Sequence, residues 1–263
     1  MRIGVITGSG SYALAGLEAA VAEEVPTPFG PAELRRGELA GVEVLHVSRH
    51  GEGHRRLSSS VTHQANVWAL REAGAGAVLA VTVCGSLDPG LELGSLLVFD
   101  DLHFLANRLP DGSLCTLHVE PGVPGRGHWV FDAPFSAPLR GALLEAAFEL
   151  GHPVRDGGCY GHVDGPRFNT RAEIRSLQTV GVTAVSQTAG PETVLCGEAA
   201  IPYALLGYAT DYANGVGADP TPVAELMRLI GASAGVFART LAAALPRAAA
   251  ADLGPVGSHI SWD

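Results

Sequence analysis

Ala77-Val78-Leu79-Ala80-Val81-Thr82-Val83-Cys84-Gly85-Ser86-Leu87 contains the most apolar strand candidate of the chain, and that strand stops in a cluster of small residues. A short apolar run bounded by glycine reads as a strand buried on both faces, as in a parallel sheet covered by helices. Small residues at its carboxyl end let backbone N–H groups approach a ligand, and open α/β sheets bind ligands at that end. Tight packing would account for the same residues. The stretch therefore fixes a fold class before it fixes a site.

Working outward, further strand candidates lie at 3–6, 42–47, 96–99, 184–186 and 203–208. Helical patterns fill 61–73, 138–150, 171–180, 191–199 and 222–245. The last of these places Val223, Leu226, Met227 and Ile230 on one stripe. The alternation predicts one α/β domain over 1–246, with a central mixed, mostly buried sheet flanked by helices. Residues 105–126, rich in Gly and Pro, read as an excursion, and 247–263 as a loosely packed tail.

Composition narrows the class. A length of 263 residues is enough to bury a sizeable core. The net charge of −10 argues against a nucleic-acid backbone as partner. All 17 cationic side chains are Arg, which reflects base composition more than mechanism. Cys84, Cys115, Cys159 and Cys196 show no metal spacing and fit a reduced compartment. The N-terminus runs directly into a strand, without a signal peptide's apolar core, and no apolar run of membrane-spanning length escapes interruption. These features predict a soluble, cytoplasmic protein.

Several short segments could carry chemistry, each with a bland alternative. Gly8-Ser9-Gly10 follows the first strand and could converge N–H groups and a hydroxyl on an anion. With Ala13 it also matches a dinucleotide fingerprint, the mark of an NAD-dependent oxidoreductase. That reading wants an acidic residue closing a second strand, where Pro26 and Pro28 break any strand. Arg49-His50-Gly51 ends a strand and offers a planar fork for phosphate oxygens, or merely a solvated strand end. His50 and His54 are spaced as a metal pair on a helix, but the intervening glycines argue against a helix, and no metal is expected. Phe168, after Asp164-Gly165-Pro166-Arg167, could stack on a ring or sit in the core. Asp211, just past a strand, could accept from an amino group, donate to a ring nitrogen when protonated, or cap a turn.

Taken together, Arg49-His50-Gly51, Gln64-Ala65-Asn66-Val67-Trp68-Ala69-Leu70, Gly165-Pro166-Arg167-Phe168, Ser186-Gln187-Thr188-Ala189-Gly190-Pro191-Glu192 and Ala209-Thr210-Asp211-Tyr212 resemble the trimeric purine nucleoside phosphorylase family. Within it the chain looks most like the 5′-methylthioadenosine phosphorylase branch. The resemblance runs from Ile3 to about Leu241 and implies the nucleoside phosphorylase fold, a homotrimer, no organic cofactor, and inorganic phosphate as co-substrate. It implies a pentosyltransferase that serves purine and methionine salvage. Ser9, Arg49, His50, Thr82, Val83 and Thr188 would then face phosphate. Phe168 and Asp211 would face the purine, with Asp211 catalytic. His128 would reach the 5′ end of the nucleoside from a neighbouring subunit, and Val223 and Met227 would line an apolar 5′ pocket.

Two positions depart from the family. Gln187 stands where a Met ordinarily lies beneath the ribose, and a buried amide needs partners. Ala213 stands where 5′-methylthioadenosine phosphorylases usually carry a second Asp, which weakens a strict 6-amino preference. Methylthioinosine, another 5′-modified nucleoside or an ordinary purine nucleoside are the nearer alternatives in substrate. A non-catalytic nucleoside-binding protein is the alternative in class.

Overall fold

The computed structural model describes residues 1–262. Among them the chain runs β1 (Arg2–Thr7), β2 (Val21–Val25), β3 (Ala32–Leu39), β4 (Val42–Ser48), α1 (His63–Glu72), β5 (Ala75–Ser86), β6 (Leu96–Val98) and β7 (Asp101–His103). It continues through β8 (Gly127–Phe131), α2 (Ala137–Glu149), β9 (Val154–Asp156), β10 (Cys159–His162), α3 (Arg171–Thr179) and β11 (Val182–Ser186). The last elements are α4 (Ala189–Glu198), β12 (Tyr203–Tyr212), α5 (Val223–Ala250) and β13 (Gly257–Ser261). Strand β5 is the axis of a large mixed sheet, pairing with β1 and β12 in parallel and with β11 antiparallel at its carboxyl end.

The alternation of side chains along β5 explains the apolar run. Val78, Ala80 and Cys84 point into a core shared with Val67 and Leu70 of α1 and Leu195 of α4. Ala77, Leu79 and Val81 point the other way, into a core shared with Leu139 and Leu143 of α2 and Phe237 and Leu241 of α5. The sheet is thus covered on both faces, as the double-sided hydrophobicity requires. Helix α5 is long and apolar enough to cross a membrane by length and composition. Here it is a core helix, with Leu229, Phe237, Leu241, Leu245 and Ala248 buried.

Two regions differ from expectation. Pro26 and Pro28 do not abolish a strand: β2 ends at Val25, just before them, and pairs antiparallel with β3. It is an edge strand, where a following proline costs no ladder hydrogen bond. Residues 8–20 form turns, not a helix, so Gly8-Ser9-Gly10 opens no β-α-β unit of the dinucleotide-binding kind. The expected loose tail is also corrected. Helix α5 continues through Ala250, fastened by Arg247, whose Nε lies 3.2 Å from Glu145 Oε2. Beyond it β13 pairs antiparallel with β8, from Gly257 opposite Phe131 to Ser261 opposite Gly127.

Parallel register brings the strand ends together. Thr7 of β1 lies opposite Ser48 of β4, and Ile6 lies opposite Ala80 of β5. The turns after β1 and β4 and the end of β5 therefore open at one edge of the sheet.

Candidate active site

At that edge lies a cavity of about 260 Å³, lined among others by Ser9, Arg49, His50, Thr82, Val83, Phe168, Gln187, Thr188, Asp211 and Ala213. Residues expected to meet from segments far apart in sequence do meet. His128, Val223 and Met227 are not in this lining. Val223 and Met227 are 74% and 60% exposed near the start of α5; the stripe instead turns Leu226 and Ile230 inward. Leu226 and Ile230, one helical turn apart, share the face toward the cavity, and Val223 and Met227 stand outside its lining. His128 lies on β8, with its ring 6.1 Å from that of Trp262.

One end of the cavity is built to hold an anion. Arg49 and Glu192 are each 1% exposed and paired side-on. Nε of Arg49 donates to Oε1 at 2.6 Å, Nη2 donates to Oε2 at 2.8 Å, and Nη1 donates to the Val81 carbonyl at 2.7 Å. Three of the five guanidinium N–H groups are thereby committed, which leaves one on each Nη for a ligand. Burial alone would lower the Arg49 pKa, but Glu192 offsets this and the net direction is upward. Gly8 is required here, because a Cβ at that position would collide with Nη1 of Arg49. The guanidinium thus lies directly under the Gly8–Ser9 turn.

Around it the donors are preset. Thr188 precedes α4 without spending its hydroxyl on a helix cap, and it lines the cavity beside the positive end of that helix. Thr82 Oγ1 lies 2.9 Å from Ser186 Oγ. His50 Nδ1 lies 2.8 Å from the Arg56 carbonyl, which can only accept. Nδ1 must therefore carry the proton, and Nε2 keeps its lone pair while the ring is neutral. Burial, followed by the nearby Arg49 charge, pushes the His50 pKa down to about 4. The His50 and His54 rings stack 4.2 Å apart, and His54 Nδ1 lies 3.0 Å from the Tyr12 hydroxyl.

The other end presents a carboxyl and a ring. The pairing of β12 with β5 slips between Ala209 and Asp211, a bulge that re-aims the side chains after it. Asp211 consequently faces the cavity over Gly85, where a Cβ would sit 3.1 Å from Oδ2. Burial raises the Asp211 pKa, and the Thr210 hydroxyl, donating at 2.9 Å, pulls it partly back. Phe168, an apolar ring in the cavity lining, is 60% exposed. Ala213 packs with Leu87, Ile174, Val182 and Val185, while Asn214 Nδ2 donates to the Asn169 carbonyl at 2.7 Å and so keeps its Oδ1 unspent in that bond.

Ser58 joins the site unannounced, and Ser186 and Glu192, the two ends of the stretch quoted above, take individual roles there that the stretch does not specify. A Glu following Pro in the first turn of a helix reads as an ordinary helix-terminal acid. Only the burial of Arg49 exposes the second role of Glu192, and no local pattern marks Ser58.

Residues 2–246 match the Phosphorylase superfamily. The chain is 35% identical over 239 residues to the probable 6-oxopurine nucleoside phosphorylase of Thermococcus kodakarensis, covering 86% of each. It is 35% identical over 212 residues to the S-methyl-5′-thioadenosine phosphorylase of Geobacter sulfurreducens, covering 80% of this chain and 72% of that one. The methylthioadenosine phosphorylase of Schistosoma mansoni, solved with adenine, superposes with a TM-score of 0.86 at 28% identity, over 96% of this chain and 93% of that one. With a cavity at the shared strand edge, and with similarity along nearly its whole length, the chain belongs to the phosphorylase superfamily as an enzyme of the nucleoside phosphorylase family.

Proposed function

We propose that this enzyme cleaves the glycosidic bond of a purine nucleoside with inorganic phosphate, and that 5′-methylthioadenosine is its leading substrate. The observation behind this reading is that one cavity holds a buried guanidinium with two spare N–H groups at one end and a half-buried carboxyl with a raised pKa at the other. Phosphate bound by Arg49, Ser9, Thr82, the backbone at Val83 and Thr188 would lie beneath the anomeric carbon. The neutral His50, with Nε2 as an acceptor, suits a phosphate that keeps its own proton on the oxygen facing it.

As the C1′–N9 bond breaks, its electron pair moves to N9 and positive charge builds on the sugar. The phosphate dianion stabilises that charge, and one of its oxygens forms the new C1′–O bond. Asp211 delivers a proton to N7 and relieves the charge on the departing base. The products are free purine and a sugar 1-phosphate. Phosphate is itself the nucleophile, so the scheme calls on no resident cofactor.

Leu226 and Ile230 give the cavity an apolar wall, which favours a 5′-alkylthio group over a 5′-hydroxyl. A second reading, a 6-oxopurine nucleoside, is favoured by Ala213, which offers no second carboxylate for a 6-amino group, and by relatives named for that substrate. His128, away from its own cavity, is read as a contribution to a neighbouring protomer of a homotrimer. The deciding experiment is chromatography of the base released from a panel of nucleosides, with and without phosphate. Release from 5′-methylthioadenosine that depends on phosphate supports the proposal, and release from inosine alone would shift the substrate to the second reading. No release from any member would end it.

A further inference from the structure

We infer that Gln187 is a specificity-determining residue that reads a sugar hydroxyl of the substrate. The inference rests on the functional reading above. Gln187 sits between the two ends of the cavity: Thr188 follows it at the anion end, and the carbonyl it binds belongs to Arg167, next to Phe168. Whatever joins phosphate to base must pass this amide.

Its orientation is settled by its partners. Nε2 lies 3.1 Å from the Arg167 carbonyl, which only accepts, so the amide nitrogen must face it. Oε1 then faces Ser58, whose hydroxyl donates at 2.8 Å. Gly165 closes over both groups, and a Cβ there would collide with Oε1 of Gln187 and Oγ of Ser58. Each amide atom has spent one valence on the protein and retains another: one N–H and one carbonyl lone pair. An amide fixed in this way is costly to cover with a substrate that leaves those valences unpaired. A ribose hydroxyl, both donor and acceptor, satisfies either one.

A purely structural amide, pinning the loop at 165–168, would slow all substrates alike. The test is therefore a ratio. We would measure kcat/KM for the best-cleaved ribonucleoside and for its 2′-deoxy and 3′-deoxy counterparts, in the unaltered enzyme, in Gln187→Met and in Ser58→Ala. The unaltered enzyme should prefer the ribonucleoside at least about tenfold over one deoxy counterpart, the worth of one hydrogen bond to a preset group. Gln187→Met should shrink that ratio by about tenfold, and Ser58→Ala, which frees the amide to turn, should shrink it less.

A ratio unchanged in Gln187→Met, with all substrates slowed equally, overturns the inference. Should that variant fail to fold, an unchanged ratio in Ser58→Ala does the same. Base release with a ratio indifferent to both positions defeats only this inference. Failure of the unaltered enzyme to release any base defeats the functional reading beneath it.

Discussion

The end of the cavity at Arg49 is held by a buried ion pair, whereas the end at Phe168 is open to solvent. Arg49 and Glu192 are each 1% exposed and doubly hydrogen-bonded to each other, while Phe168 is 60% exposed. The difference follows from what each end must desolvate. A buried charge without a fixed partner costs several kcal/mol, so a guanidinium that meets phosphate out of water needs its scaffold in advance. An aromatic face needs no such scaffold, because a planar ligand stacked on it would itself supply the burial. Turns that follow β1 and β4 build the first end around the Arg49–Glu192 pair, while at the second the ends of β5 and β12 fix Asp211 and the loop at 165–168 carries Phe168.

The contrast can be broken at its hinge, its rigid half or its open half. The largest effect is expected at Asp211, where loss of a general acid in Asp211→Ala should lower kcat by roughly 10²–10⁴. Turnover near that of the unaltered enzyme at saturating substrate would remove the carboxyl from the chemistry. Next comes Glu192→Ala, which strands a buried guanidinium and should destabilise the fold by about 3–5 kcal/mol in urea unfolding. A loss below about 1 kcal/mol would mean the anion end is less fixed than its geometry states.

Phe168→Ala should do the reverse. Stability should move by less than about 0.5 kcal/mol, as at other exposed positions, while the nucleoside KM rises about tenfold and the phosphate KM stays put. A joint rise in both would show the two ends to be coupled.

The gentlest probe is pH. Burial lowers the pKa of His46 and His50 to about 4 and of His63 and His162 to about 3, all below the ordinary value of 6.5. Groups depressed on folding contribute stability that is present above about pH 6.5 and lost as pH falls toward 4 and below. Each can add up to about 1.4 kcal/mol per pH unit to that loss. Asp211 has the opposite sign: its raised pKa means ionisation is disfavoured in the fold, so Asp211→Asn should gain stability as pH rises through the carboxylate range and show none below it. Unfolding midpoints of the two proteins, measured from pH 3 to 8, check both slopes.

The same contrast explains what was legible in the sequence. β1, β4, β5 and β12 announce themselves through apolar runs, and the segments at their carboxyl ends hold Ser9, Arg49, Thr82 and Asp211. Residues whose roles depend on distant packing were silent. Glu192 looks like a helix-terminal acid until Arg49, 143 positions away, is found against it. Gln187 reads as a misplaced polar residue until Ser58, 129 positions away, supplies its donor. Val223 and Met227 share a stripe with Leu226 and Ile230, and periodicity alone does not say which members of so wide a stripe turn inward. β2 and β13 escaped notice because an exposed edge strand and a strand paired only with β8 lack the apolar signal of a buried one.

The central claim is that phosphate, held at the anion end, attacks the anomeric carbon as the base departs. Phosphorus NMR of the enzyme incubated with 5′-methylthioadenosine and inorganic phosphate tests it most directly. A sugar 1-phosphate resonance should grow in step with released adenine, one for one, with an equal loss of inorganic phosphate. Adenine released alongside free sugar, with the phosphate signal unchanged, would contradict it.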